Sequence, residues 1–343
     1  MNTRSLSIIT PVLLHVCDVL CSKNYRNMNF VYSIFQKFKL KKRSPYIVFS
    51  ENKTAYLLLI ITTLGWGCNA VFAKLAVGEV SPMLLVSIRW LITMVLLVCL
   101  FWKKLQEERE IILGHWRYLF IIGTAGYTGF TTLIYLGAHS TTAVNIGIIQ
   151  GSMPAMILIG SYLFYKTPVN VPQILGVLIT IVGVIIVSTA GDVMVLTNLM
   201  FNHGDLLMLI ADVLYAAYTL GLRNNQGLGS LTLFVTLSIA AFISSIPMTI
   251  LEIFNDQAHW PTLRGWIIIL MIVIYPSFIS QISFIKSVGL IGPGRAGIFV
   301  NLVPIFSSIL AVNYLGETFE SYHSVALLLV FAGIFLFERF KAG

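Results

Sequence analysis

The sequence predicts an all-α integral membrane protein: ten transmembrane helices arranged as two inverted five-helix repeats. Three observations predict it. The composition is too apolar for a soluble surface, ten apolar stretches are long enough to cross a bilayer, and the chain matches itself at an offset of about 150 residues.

Of 343 residues, 57% are hydrophobic and 10% charged. A soluble domain is about 45–50% apolar and about 25% charged. This excludes a soluble enzyme, a nucleic-acid binder and a disordered chain. The apolar runs are continuous rather than alternating, which favours helices over a barrel. The net charge of +8 does not point to nucleic acid, because residues 1–53 hold nine Lys/Arg against two acids and the rest is close to neutral. Cys17, Cys21, Cys68 and Cys99 form neither a disulfide framework nor a zinc set. No cofactor and no metal is expected.

The ten spans run approximately 55–77, 82–102, 117–138, 141–165, 172–189, 205–223, 231–252, 265–287, 292–315 and 322–340. Turn-forming stretches such as Gly78–Pro82 and Gly227–Ser230 separate them. The connecting loops are too short for a further domain, and no phosphate-binding loop is present, so ATP hydrolysis within this chain is excluded. Ten Lys/Arg after residue 53 fall on one set of ends, against Lys74 and Arg264 on the other. By the positive-inside rule both termini are cytoplasmic.

Residues 1–53 read as a basic cytoplasmic tail. Its segment Phe35–Arg43 serves either as a topology anchor or as a surface for anionic lipid. Met28 is an alternative start, so residues 1–27 need not belong to the mature protein.

The repeat is read from ordered matches. Trp116 meets Trp266, Gly147-Ile148 meets Gly297-Ile298, Pro154 meets Pro304, Gly183 meets Gly333, and Trp66–Asn69 lies over Tyr215–Tyr218. The implied units are 54–190 and 204–341. Five helices is an odd number, so the second unit enters the membrane from the opposite side. That is the architecture of many secondary transporters.

Gly65–Lys74, Ser81-Pro82 with Ile88-Arg89-Trp90, and Asn301–Pro304 followed by Leu315-Gly316-Glu317 resemble motifs of the drug/metabolite transporter superfamily, EamA type. The resemblance covers about residues 55–340 and departs at Tyr215, where many members carry Trp. It implies a ten-helix carrier of amino acids, small metabolites or drugs, with a cavity lined mainly by helices 1, 3, 4, 6, 8 and 9.

Polar groups within hydrocarbon are costly and usually face a cavity or a partner helix. Thr62, Trp66, Asn69 and Ala73 share one face of the first helix, within about 60°. Trp66 would wall in a substrate and Asn69 hydrogen-bond it, or both serve helix packing. Asp205, Met208, Asp212, Tyr215 and Thr219 form a stripe on the sixth helix, with Asp205 at its outer, hydrated end. Asp212 binds an amino group, carries a proton, or pairs with Arg89. Tyr127, Thr131 and Tyr135 line one side of the third helix. Asn145 and Gln150 lie on the fourth, Ser277 and Gln281 on the eighth, and Asn301 on the ninth. Pro154 and Pro304 mark paired kinks that belong either to the pathway or to packing alone. Lys286 and Arg295 attract a substrate anion or mark topology. Lys74 and Glu317 form a gate or a surface pair.

The function expected is secondary transport, in the export direction, of an amino acid or related amphipathic solute by alternating access. H+ is the candidate coupling ion, the lipid bilayer and a homodimer are the expected partners, and the bacterial inner membrane is the expected location. The alternatives are a non-transporting sensor or scaffold and a lipid-acting membrane enzyme.

Overall fold

The structure is a computed structural model that describes residues 51–138, 140, 149–198, 202–315 and 319–340. Within these residues regular structure is helical throughout. The first helix, α1, covers Glu51–Leu75. α2 covers Pro82–Glu107 and α3 is the short Arg109–Gly114. The third predicted span is a broken rod: α4 (Trp116–Gly123), a π-helical segment (Thr124–Gly129) and α5 (Phe130–Ala138). α6 covers Met153–Tyr165 and α7 Val171–Ser188. α8 covers His203–Gly221 and α9 Ser230–Phe254.

The eighth predicted span is also broken: α10 (Leu263–Ile272), a π-helical segment (Val273–Ser280) and α11 (Gln281–Ile291). α12 (Pro293–Gly297), a 3-10 segment (Ile298–Asn301) and α13 (Leu302–Leu315) make the ninth. α14 covers Ser321–Arg339.

Among the described residues, eight helical stretches are long and apolar enough to cross a membrane. Two of the ten expected spans are not among them. These are 117–138, which carries Arg117 and four threonines, and 141–165, of which residues 141–148 lie outside the described residues. Large apolar side chains cover the exterior, including Phe164, Phe335, Leu328 and Ile274. A soluble monomer rarely exposes so much.

The helix starts follow local chemistry. Asn170 and Gln173 form a reciprocal capping box at α7, and Asn202 and Asp205 form another at α8. Asp205 is therefore a buried cap rather than a hydrated end residue. Pro82, Pro172 and Pro293 occupy first turns, where the missing N–H costs nothing. Pro154 and Pro304 also sit in the first turns of α6 and α13, each just after a break, rather than in the middle of a continuous helix.

Two seams organise the bundle. In the α7–α14 seam, a methyl on Gly333 would lie 2.5 Å from Gly176 O and 2.6 Å from Thr180 Cγ2. A methyl on Gly183 would lie 2.8 Å from Val330 Cγ2 and 3.0 Å from Ala326 O. The α2–α9 seam is polar. Ser87 meets Ser245 and Thr249, and Thr249 Oγ1 donates to Met83 O.

The two ends of the bundle are tied separately. At one, Ser81 N donates to His259 O at 3.3 Å, Thr262 N to Glu79 O at 3.0 Å, and Arg264 pairs with Glu79 at 3.7 Å. At the other, Tyr165 and Tyr118 hydroxyls donate to the carbonyls of Leu220 and Gly221, each at 2.7 Å.

Candidate functional site

The centre of the bundle is aromatic. Tyr215 on α8 has Trp66 of α1 at 5.8 Å, edge-on, Phe130 of α5 at 4.7 Å and Phe284 of α11 at 6.1 Å, ring centre to ring centre. Trp66 itself lies 5.1 Å from Phe284. Toward α2 the cluster continues. Tyr218 lies 5.3 Å from both Tyr127 and Tyr215, and Tyr127 stacks flat on Trp90 at 4.4 Å.

Polar groups thread this cluster. The Tyr218 hydroxyl reaches Tyr127 Oη at 3.3 Å and Gln281 Oε1 at 3.4 Å. Arg89 Nε donates to Ser277 Oγ at 3.1 Å, and its guanidinium lies 5.1 Å from the Trp90 ring. The π segments deliver two of these groups, Tyr127 from the first and Ser277 from the second. Such segments recur at functional sites because they re-aim side chains and loosen backbone hydrogen bonding.

Asp212 stands apart. It lies one turn before Tyr215 on α8, is fully buried, and neither carboxylate oxygen has a hydrogen-bond partner among the described residues. The expected alternative, a pair with Arg89, is therefore not hydrogen-bonded, and Arg89 Nε donates to Ser277. The Tyr215 hydroxyl is likewise buried with no partner among the described residues, as are Trp90 Nε1, Thr132 Oγ1 and Ser280 Oγ. Buried polar groups are nearly always satisfied, so each of these atoms calls for a partner that is not among the described residues.

Of the other sequence candidates, Trp66 and Asn69 are half-buried on α1. Tyr127 and Gln281 are buried in the cluster. Thr131 bonds back to Tyr127 O at 2.6 Å within its own helix. Asn301 donates to Thr180 Oγ1 at 2.9 Å and is buried there, so it ties the broken ninth helix to α7. Gln150 is half-buried. Tyr135 is helical, but its side chain lies outside the described ones, as does that of Lys74. Asn145, Gly147 and Glu317 lie outside the described residues altogether.

Sequence reasoning missed Tyr218, Phe130, Phe284 and Trp90. Phe130 and Phe284 read as ordinary apolar helix residues, whereas Tyr218 carried a signal in its match to Asn69 in the repeat and Trp90 in the Ile88-Arg89-Trp90 motif. An apolar groove of about 360 Å³ between α2 and α9, lined by Leu84, Leu91, Phe242 and Trp266, lies away from this centre.

The family model for the EamA-like transporter family matches twice, over residues 53–189 and 202–339. The chain belongs to the EamA-like transporter family. It is 23% identical to YyaM of Bacillus subtilis, described as an uncharacterized transporter, over 81% of this chain and 92% of that one. It is 25% identical to an uncharacterized transporter of Archaeoglobus fulgidus, over 83% of this chain and 97% of the relative. A solved crystal structure superposes with a TM-score of 0.71 at 16% identity, over 84% of this chain and 98% of that one, a likeness of fold. This EamA-like protein is thus a multi-pass integral membrane transporter, and its aromatic centre joins helices from both matched regions.

Proposed function

We propose that the protein is a secondary transporter that exports an amino acid or related amphipathic solute by alternating access between two inverted five-helix repeats. The single observation that carries this reading is the buried Asp212 carboxylate, which has no hydrogen-bond partner among the described residues and lies one turn from Tyr215 at the meeting point of the two halves.

Several features support the repeat. The two π segments start about 150 residues apart, as do the capping boxes that open α7 and α14. The glycine contacts are reciprocal. Gly333 meets Gly176 and Thr180, while their counterparts Ala326 and Val330 meet Gly183. Reciprocal contact is what a two-fold relation between like units produces. On this reading 116–138 and 141–165 supply the remaining two spans. The termini are cytoplasmic, as the Lys/Arg bias supports, and the membrane is a bacterial inner membrane, which the short loops and the family favour.

In the proposed site, Trp66, Tyr215, Phe130 and Phe284 wall the solute, and Asn69, Gln150 and Gln281 hydrogen-bond it. Asp212 takes its ammonium group or a proton in alternate half-cycles. The test is thermal unfolding of the purified protein against a metabolite panel. A ligand at 100 times its dissociation constant stabilises by about 2.7 kcal/mol. Stabilisation lost in Trp66→Ala and Asn69→Ala places the solute here. Stabilisation indifferent to both moves the site elsewhere.

A further inference from the structure

Beyond the central cluster, one group of charged side chains bridges the two halves at one end of the bundle. Arg295, on α12, sends Nε to both Glu338 oxygens at 3.0 and 3.1 Å and a terminal nitrogen to Oε2 at 2.6 Å. That guanidinium also donates to Tyr56 Oη at 2.8 Å and to Asn52 Oδ1 at 3.3 Å. Tyr56 in turn donates to Glu338 at 2.6 Å and stacks on Phe299 at 5.7 Å. Asn52 and Tyr56 belong to the start of α1, where the first matched region begins at residue 53. Arg295 and Glu338 belong to α12 and α14, in the second.

The same end is shut by close helix contact. A methyl on Gly297 would lie 2.8 Å from Ile157 Cδ1, and one on Gly294 would lie 3.3 Å from Ser161 Oγ. α12 therefore packs on α6 and is held on α1 and α14 by ions and hydroxyls. The two halves of the sequence are not equal here. Under the repeat offset, Ser188 stands where Glu338 does and Asn145 where Arg295 does, so this pair has no counterpart in the first half, and the ion pair at the opposite end, Arg264–Glu79 at 3.7 Å, is longer and more exposed.

We infer that Arg295, Glu338, Tyr56 and Asn52 are a latch that closes the transport pathway at this end, the cytoplasmic one in the proposed orientation, and biases the resting carrier toward the opposite opening. The pair is half-buried, with side-chain exposures of 21% and 12%. A bidentate pair in such a setting is strong while dry, yet each partner can be rehydrated when the helices part. That suits a contact that must form and break in every cycle. This rests on the alternating-access reading above.

The experiment follows a cysteine at Ser161, which is 1% exposed. Ser161→Cys is placed in a background whose four native cysteines are replaced, in sealed vesicles of known orientation. A membrane-impermeant maleimide is added from the Arg295 side, with and without a mixture of the common amino acids. The latch predicts slow labelling in the parent, at least about tenfold faster labelling in Glu338→Gln, and slow labelling again in the charge swap Arg295→Glu with Glu338→Arg.

Tyr56→Phe, which keeps the ring stacked on Phe299, is the milder second variant and should label at an intermediate rate. Unchanged labelling in both Glu338→Gln and Tyr56→Phe overturns the latch. If amino acids still alter the labelling in those variants, the carrier reading stands without the latch. If neither amino acids nor latch variants alter it, both fall.

Discussion

Trp66 and Tyr215 hold corresponding positions in the two halves of the sequence, and they meet each other, edge to face, with ring centres 5.8 Å apart. A residue that touches its own counterpart lies close to the axis relating the two units. On the proposed alternating-access reading, the aromatic centre is the point about which the halves rock, and a solute bound there sees both sides in turn.

Replacing Trp66 by Ala should weaken ligand binding by tenfold or more. It removes the edge-on contact to Tyr215 and the contact to Phe284 at 5.1 Å. Each aromatic pair contributes about 0.5–1.5 kcal/mol beyond area burial. The fold should survive, because Trp66 is only half-buried. Titration of the purified variant with a panel hit checks both statements.

Asp212→Asn keeps the shape of a side chain that has no hydrogen-bond partner among the described residues, so the variant should fold as well as the parent. It removes the titrating group. Flux in proteoliposomes should lose its dependence on an imposed pH gradient while circular dichroism stays unchanged. A variant that keeps the parent's pH profile would place proton coupling elsewhere.

Glu252, near the end of α9, caps α2 from another helix. It accepts from Ser81 Oγ at 2.8 Å, Leu84 N at 2.9 Å and Met83 N at 3.0 Å. The carboxylate also sits at the positive end of the α2 dipole. Glu252→Ala strands these donors at a buried place, and a stranded donor costs about 1–3 kcal/mol. Its melting temperature should fall clearly, and Glu252→Gln should fall less.

In the α7–α14 seam the two glycines should differ. A methyl on Gly333 meets backbone at 2.5 Å, whereas one on Gly183 first meets the Val330 side chain at 2.8 Å. Backbone cannot step aside without separating the helices, and overpacking costs about 1–3 kcal/mol. Gly333→Ala should therefore destabilise more than Gly183→Ala. Equal melting temperatures would mean that the seam is loose.

What the sequence shows and what it hides divide along physical lines. Long apolar runs act locally, so spans such as 82–102 can be read directly, whereas the cap at Asn202 goes unread and its partner Asp205 is buried rather than hydrated. The interval of about 150 residues is also legible, and it already pairs Trp66 with Tyr215. The π segments are not. Only Pro276 and the glycines around Tyr127 hint that the eighth and third spans lose α geometry there. Contacts between distant positions are equally silent. Nothing near Arg295 announces Glu338, and nothing in α2 announces Glu252. Arg89 and Asp212 look like natural partners by charge alone, but geometry gives Arg89 to Ser277.

The most direct measurement is solute counterflow in proteoliposomes, loaded with a mixture of amino acids and followed with labelled solute outside. The account predicts saturable exchange that falls at least about tenfold in Trp66→Ala. A stably folded protein that exchanges no amino acid, or one whose exchange is indifferent to Trp66, would contradict the central claim.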